Sequence, residues 1–142
     1  MKPATTPIGL QLATTAKAVS RAFNDRLVEA GGSVPVWLIL SSLKSDERRT
    51  QLELARSVGI EGPTLTRHLD GLEEAGLVRR VRDPADRRAV RVELTDAGEQ
   101  LFHSLRQAVV AFNRDLTRGI GEPELERLRK TLGRLGQNAS RS

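Results

Sequence analysis

Apolar residues recur every three or four positions along most of this chain, and in one short region the period drops to two. From Ile8 the stripe continues through Leu12, Ala16, Val19, Phe23 and Leu27, spacings of four, four, three, four and four. That spacing predicts one helix of about 20 residues, ended by Ala30-Gly31-Gly32. Met1 to Pro7, with two prolines, reads as a loose arm ahead of it. Ser33 caps a second helix with Pro35 in its first turn. Val36, Leu40 and Leu43 form its inner face, with Trp37 and Ile39 nearby. Lys44 to Arg49 reads as a charged loop.

The middle of the chain is denser in start and stop signals. Thr50, with Glu53 three residues on, forms a capping box (T-Q-L-E). The helix it opens, Gln51 to Val58, is expected to turn Leu52, Ala55 and Leu54 inward and to stop at Gly59. Ile60-Glu61-Gly62 makes a turn. Pro63 then suits the first position of a new helix, where its missing N–H has no partner to lose. Leu65, Leu69 and Leu72 fall at i, i+4 and i+7 along that helix, and Gly76 ends it. From Leu77 the pattern becomes that of strands: L-V-R-R-V-R, a turn at Asp83-Pro84-Ala85-Asp86, then a segment in which Val90, Val92 and Leu94 alternate with Arg91 and Glu93. Thr95 is a natural N-cap, with Asp96 favourably placed in the first turn. Leu101, Leu105, Ala108, Val109, Phe112 and Leu116 mark a long helix. It is interrupted near Gly119-Ile120-Gly121 and restarted at Pro123, with a second stripe at Leu125, Leu128, Leu132 and Leu135. Gln137 to Ser142 is polar and expected to fray.

The expected fold class is therefore mainly α with a small β-hairpin: a winged helix-turn-helix. The terminal helices carry apolar stripes too long for so small a core. The same helices from a second copy are the natural cover, which makes them a dimerisation region, with an intramolecular three-helix pack as the alternative.

Charge sharpens this reading. Between residues 79 and 91 stand six arginines (Arg79, Arg80, Arg82, Arg87, Arg88, Arg91) against Asp83 and Asp86, a net of +4 in a chain whose whole formal charge is +5. Solubility alone would be served by mixed signs, whereas a positive ribbon suits a phosphate backbone and an arginine tip suits a minor groove. The expected partner is double-stranded DNA. On the second helix of the motif, Arg67 is the first candidate for a base contact, because a guanidinium can bond two acceptors of guanine at once. Pro63, Thr64 and Thr66 suit thymine methyl groups or phosphates, and His68 lies beside them.

The residues R-D-P-A-D-R-R-A-V-R-V-E-L-T-D-A-G, 82 to 98, resemble the signature of the MarR family of bacterial transcription regulators. Asp86-x-Arg88, followed after five residues by Leu94-Thr95, matches the family's wing motif, and T-Q-L-E-L-A-R-S-V-G-I and L-x-x-L-E-E-A-G-L-V-R-R fit its helix-turn-helix. The match runs from Thr50 to Gly98, a third of the chain. Resemblance implies a single MarR-like domain over residues 1–142. Its dimerisation helices would lie at 8–30 and 95–138, with a winged-helix lobe at 33–94. It further implies a homodimer on a palindromic operator, usually a repressor released by a ligand or an oxidant. Arg88 is then expected in the minor groove, held (or a neighbour held) by a charge-assisted bond from Asp86. Arg87 is the second choice for the tip, and Arg79, Arg80, Arg82 and Arg91 are expected at phosphates. The second helix departs from the family, which commonly starts it Leu-Thr-x-x-Gln where this chain has Gly32-Ser33-Val34-Pro35-Val36, so the ligand pocket is not carried over.

The release signal is narrowed by what the chain lacks. With no cysteine, thiol oxidation is excluded, and two histidines on different helices argue against a zinc site. No cofactor or metal is expected. Of the release mechanisms that the family resemblance implies, a small-molecule inducer remains, typically an aromatic or phenolic acid. Trp37 would be its aromatic wall and Arg21 or Arg26 its anion partner, although Trp37 reads first as plain core. No catalytic cluster stands out, so an enzyme is not expected. A non-specific architectural DNA binder is the competing reading, and a winged-helix protein-interaction module a weaker one. No apolar stretch suits a membrane or an export signal, which places the protein in the cytoplasm.

Overall fold

The computed structural model describes residues 5–46 and 49–141. Six helices and one hairpin follow in the order α1 (Ile8–Glu29), α2 (Val34–Ser45), α3 (Gln51–Val58), α4 (Gly62–Glu74), β1 (Val78–Arg82), β2 (Val90–Leu94), α5 (Asp96–Leu116) and α6 (Glu122–Ala139). The fold is a winged helix, mainly α with a small wing. No helix of the described residues is long and apolar enough to cross a membrane. The chain forms two compact units, Met1–Val109 and Val110–Ser142, with the division inside α5.

The first unit is built around a core of Leu27, Ile39, Leu40, Leu43, Leu54, Leu65, Leu69, Leu72, Val78, Val92, Phe102 and Leu105. Local signals start and stop its elements. The Ser33 hydroxyl accepts from the Val36 N–H at 3.3 Å, and the Thr50 hydroxyl accepts from the Glu53 N–H at 3.2 Å. Gly59 and Gly76 end α3 and α4 at φ 70° and 75°, a left-handed conformation that costs other residues strain. Within α2 the buried positions are Ile39, Leu40 and Leu43, with Val36 only half-buried.

Three expectations differ from the structure. Leu52 does not face inward: it is 62% exposed, while Leu54 is fully buried. At 100° per residue the two side chains lie about 200° apart, so only one can face the core. Leu54 takes that place, with Val58 one turn on half-buried beside it. The expected fraying from Gln137 is also displaced, since α6 continues to Ala139 and the Ser140 hydroxyl donates to the Gly136 carbonyl at 2.9 Å. Within the expected charged loop, α2 runs on through Ser45, and Glu47 and Arg48 lie outside the described residues.

The wing is an antiparallel pair in which Val78 faces Leu94, Arg80 faces Val92 and Arg82 faces Val90. A short bridge joins Thr50 to Arg91, and the Arg49 carbonyl accepts from the Val92 N–H at 3.1 Å, so the start of α3 forms a third edge. Thr95 fastens the wing's exit. Its hydroxyl donates to the Gly76 carbonyl at 2.6 Å and accepts from the Gly98 N–H at 3.1 Å.

Much apolar surface of the terminal helices stays uncovered. In α1 only Leu27 is buried, and Ile8 and Leu10 are more than half exposed. In the second unit α6 has no buried residue among those described, and Leu128 and Leu132 stand open to solvent.

Candidate nucleic-acid interface

The turn Ile60–Glu61 sets α4 across the end of α3, and the three leucines of α4 are buried, which turns its opposite face outward. Pro63, Thr64 and Arg67 are exposed there, while Thr66 and His68 are half-buried. Glu61, the N-cap of α4, makes no side-chain capping hydrogen bond to the first turn. Thr66 is more constrained than its neighbours. Its hydroxyl donates to the Gly62 carbonyl at 2.9 Å and accepts from Gln51 Nε2 at 2.9 Å.

The wing loop is shaped by two aspartates rather than by its proline alone. Asp83 Oδ1 accepts from the Ala85 N–H at 2.9 Å, and Asp86 Oδ1 accepts from the Arg88 N–H at 3.0 Å. Asp86 thus holds Arg88 by its backbone N–H and not by its guanidinium. The loop closes with the Asp83 N–H donating to the Ala89 carbonyl and the Ala89 N–H to the Asp86 carbonyl, both at 3.0 Å.

The six wing arginines divide into two kinds. Arg79, Arg82, Arg87 and Arg88 are exposed and make no ion pair among the described residues. Arg91 is half-buried and bonded to Asp83 at 3.2 Å. Arg80 is half-buried between Asp70 and Glu73 of α4, with its Nη2 2.9 Å from Glu73. The Glu73 carboxyl is held below its ordinary range, first by the Arg80 backbone N–H and then by its guanidinium. The Arg80 guanidinium is correspondingly raised, by Glu73 and then Asp70.

A cleft of about 680 Å³ separates α3 and the start of α4 from the wing. Gln51, Leu52, Gly62 and Thr66 line one wall, and Asp86, Arg88 and Ala89 the other. Residues about twenty to nearly forty positions apart in sequence therefore face the same hollow.

The ligand candidates are placed otherwise. Arg21 is exposed on α1 and Arg26 half-buried. The Trp37 ring stacks on Phe102, centroids 5.6 Å apart and planes within 5°, and His103 meets Phe102 edge-on at 5.3 Å. One face of Trp37 is thus engaged in joining α2 to α5. Nearby, Lys44 pairs with Glu99 and lowers its carboxyl below the ordinary range.

Sequence reasoning missed Gln51, Glu73 and the role of Asp83. The spacing Asp70-x-x-Glu73 puts two carboxylates on one helix face, but their partner lies beyond a turn whose geometry no local signal specifies.

The family model described as MarR family matches residues 33–90. A solved structure of transcriptional regulator PA3341 is 38% identical, covering 96% of this chain and 100% of that one, with a TM-score of 0.77. The chain belongs to the MarR family. It is a DNA-binding transcription regulator. A MarR mutant from E. coli complexed with operator DNA is 26% identical, covering 91% of this chain and 93% of that one, with a TM-score of 0.80. The transcriptional repressor CouR, bound to a 23-mer DNA duplex, is 27% identical with 92% of each chain covered and a TM-score of 0.81.

Proposed function

We propose that this MarR-family chain is a homodimeric, sequence-specific repressor that binds a palindromic operator and is released by a small aromatic or phenolic acid. The observation that carries the DNA reading is the shared cleft, with the exposed Arg88 on one wall and the recognition helix on the other. A major groove about 12 Å wide admits a helix. Arg67 would read guanine there, with Pro63, Thr64, Thr66 and His68 beside it. Arg88 would enter the minor groove. Arg79, Arg82 and Arg87 would meet phosphates.

Two recognition helices about 34 Å apart reach successive major grooves, so a two-fold dimer suits a palindrome. The exposed leucines of α1 and of α6 support a second copy as their cover. For release, a sequence with no cysteine has no thiol to oxidise. Trp37, stacked on Phe102, would give an aromatic acid its wall, with Arg21 or Arg26 at the carboxylate.

The experiment is a titration of the DNA upstream of the protein's own gene against a scrambled duplex at fixed physiological salt. A preference of about several hundredfold or more is expected of a specific regulator. Loss of binding with one of a panel of acids such as salicylate would support the ligand class. Equal, steeply salt-dependent binding to both duplexes would replace this reading by that of an architectural binder.

A further inference from the structure

We propose that Arg80 serves DNA recognition as a positioning residue, tying the wing to the recognition helix through Glu73 and Asp70, and not as a phosphate contact. This rests on the DNA-binding reading above.

Arg80 and Val92 face each other at the middle of the hairpin. In an antiparallel ladder, alternate pairs turn their N–H groups outward instead of toward each other. Here both outward N–H groups are taken by other elements. The Arg80 N–H donates to Glu73 Oε2 on α4 at 3.0 Å, and the Val92 N–H donates to the Arg49 carbonyl ahead of α3 at 3.1 Å. The wing is therefore pinned at its centre to both helices of the motif. The Arg80 side chain repeats the bond to α4: Nε and Nη2 reach Glu73 Oε1 at 3.3 and 2.9 Å, and Nη2 also reaches Asp70.

Charge argues the same way. One guanidinium between two carboxylates leaves a local net charge of −1, and the Arg80 side chain is only 22% exposed. A phosphate approaching it meets repulsion, and Nε and Nη2 are already engaged by the two carboxylates. The planar fork is what makes the double engagement of Glu73 possible, and a lysine point charge does not reproduce it.

The test compares wild type with R80A, R80K, E73Q and the R80A/E73Q double variant, each checked for native helicity by circular dichroism. Affinity is measured on a random-sequence duplex across a salt series, and on a duplex that wild type selects from a random pool. Positioning predicts that R80A and R80K keep the wild-type salt slope. It also predicts that R80A, R80K and E73Q each lose preference for the selected duplex by about tenfold. The double variant should be no worse than R80A, because both changes remove one interaction. A slope shallower by about 0.9 in R80A, restored in R80K, would make Arg80 a phosphate contact and overturn the proposal. Unchanged preference in all variants would overturn it too. If wild type enriches no sequence, it is the sequence-specific reading that fails, and the slope on random DNA still decides whether Arg80 touches phosphate.

Discussion

A Cβ on residue 98 would lie 2.0 Å from the Leu77 carbonyl oxygen, so Gly98 lets α5 pass against the backbone that enters the wing. Its φ is not positive, so the need is for space alone. Gly98→Ala must push one backbone away from the other. A loss of about 1–3 kcal/mol is expected, as for overpacked sites, read from urea unfolding midpoints. Gly71, with open space around it, should accept alanine in α4 without loss.

Thr95 joins the same corner by two hydrogen bonds. Thr95→Val keeps the shape and removes both, leaving the Gly98 N–H and the Gly76 carbonyl without it. The expected cost is about 1–2 kcal/mol. Thermal unfolding of Thr95→Ser, which retains the hydroxyl, should lie near wild type.

Leu52 and Leu54 separate core from surface within a single turn. Leu54→Ala is expected to cost about 2–5 kcal/mol, and Leu52→Ala less than about 0.5 kcal/mol, by denaturant titration. Equal losses would contradict the opposite burial of the two side chains.

Arg88 and Arg91 should part in the same way by function. Arg88→Ala removes an exposed guanidinium that has no ion pair among the described residues, so operator affinity should fall, with a salt slope shallower by about 0.9 and an unchanged melting temperature. Unchanged binding in a gel-shift titration would remove Arg88 from the interface. Arg91→Ala deletes the partner of Asp83, so its first effect should be on the wing's order, seen as faster amide exchange across residues 83–91.

Glu73 and Glu99 make stability depend on acid pH. Both carboxyls sit below the ordinary value of 4.5 in the folded chain, Glu73 through Arg80 and Glu99 through Lys44. A lowered folded value means the unfolded chain binds protons first. The stabilisation is present above about pH 4.5 and is lost as pH falls through the lower folded values. In E73Q the difference in melting temperature between pH 6 and the acid side should shrink relative to wild type.

Much of this molecule is local, and local physics was legible in the chain. The Thr50 capping box, the Gly59 and Gly76 stops, the three leucines of α4 and the change of period at the wing each depend on residues within a turn or two of one another. The MarR signature at 82–98 belongs to the same class, because a short loop with its own aspartate caps keeps its shape from its own residues. What the tertiary structure decided are matters of direction and partnership. Leu52 and Leu54 are equally apolar, and only the position of α2 and α4 selects which of them is buried. Six arginines carry the same charge, yet the turn after Gly76 brings Arg80 back onto Asp70 and Glu73, and the Asp83 side chain reaches Arg91, leaving four with no ion-pair partner among the described residues. A side chain's chemistry is written in the sequence, but its spending depends on which groups the folded backbone sets within about 3 Å, the reach of a hydrogen bond.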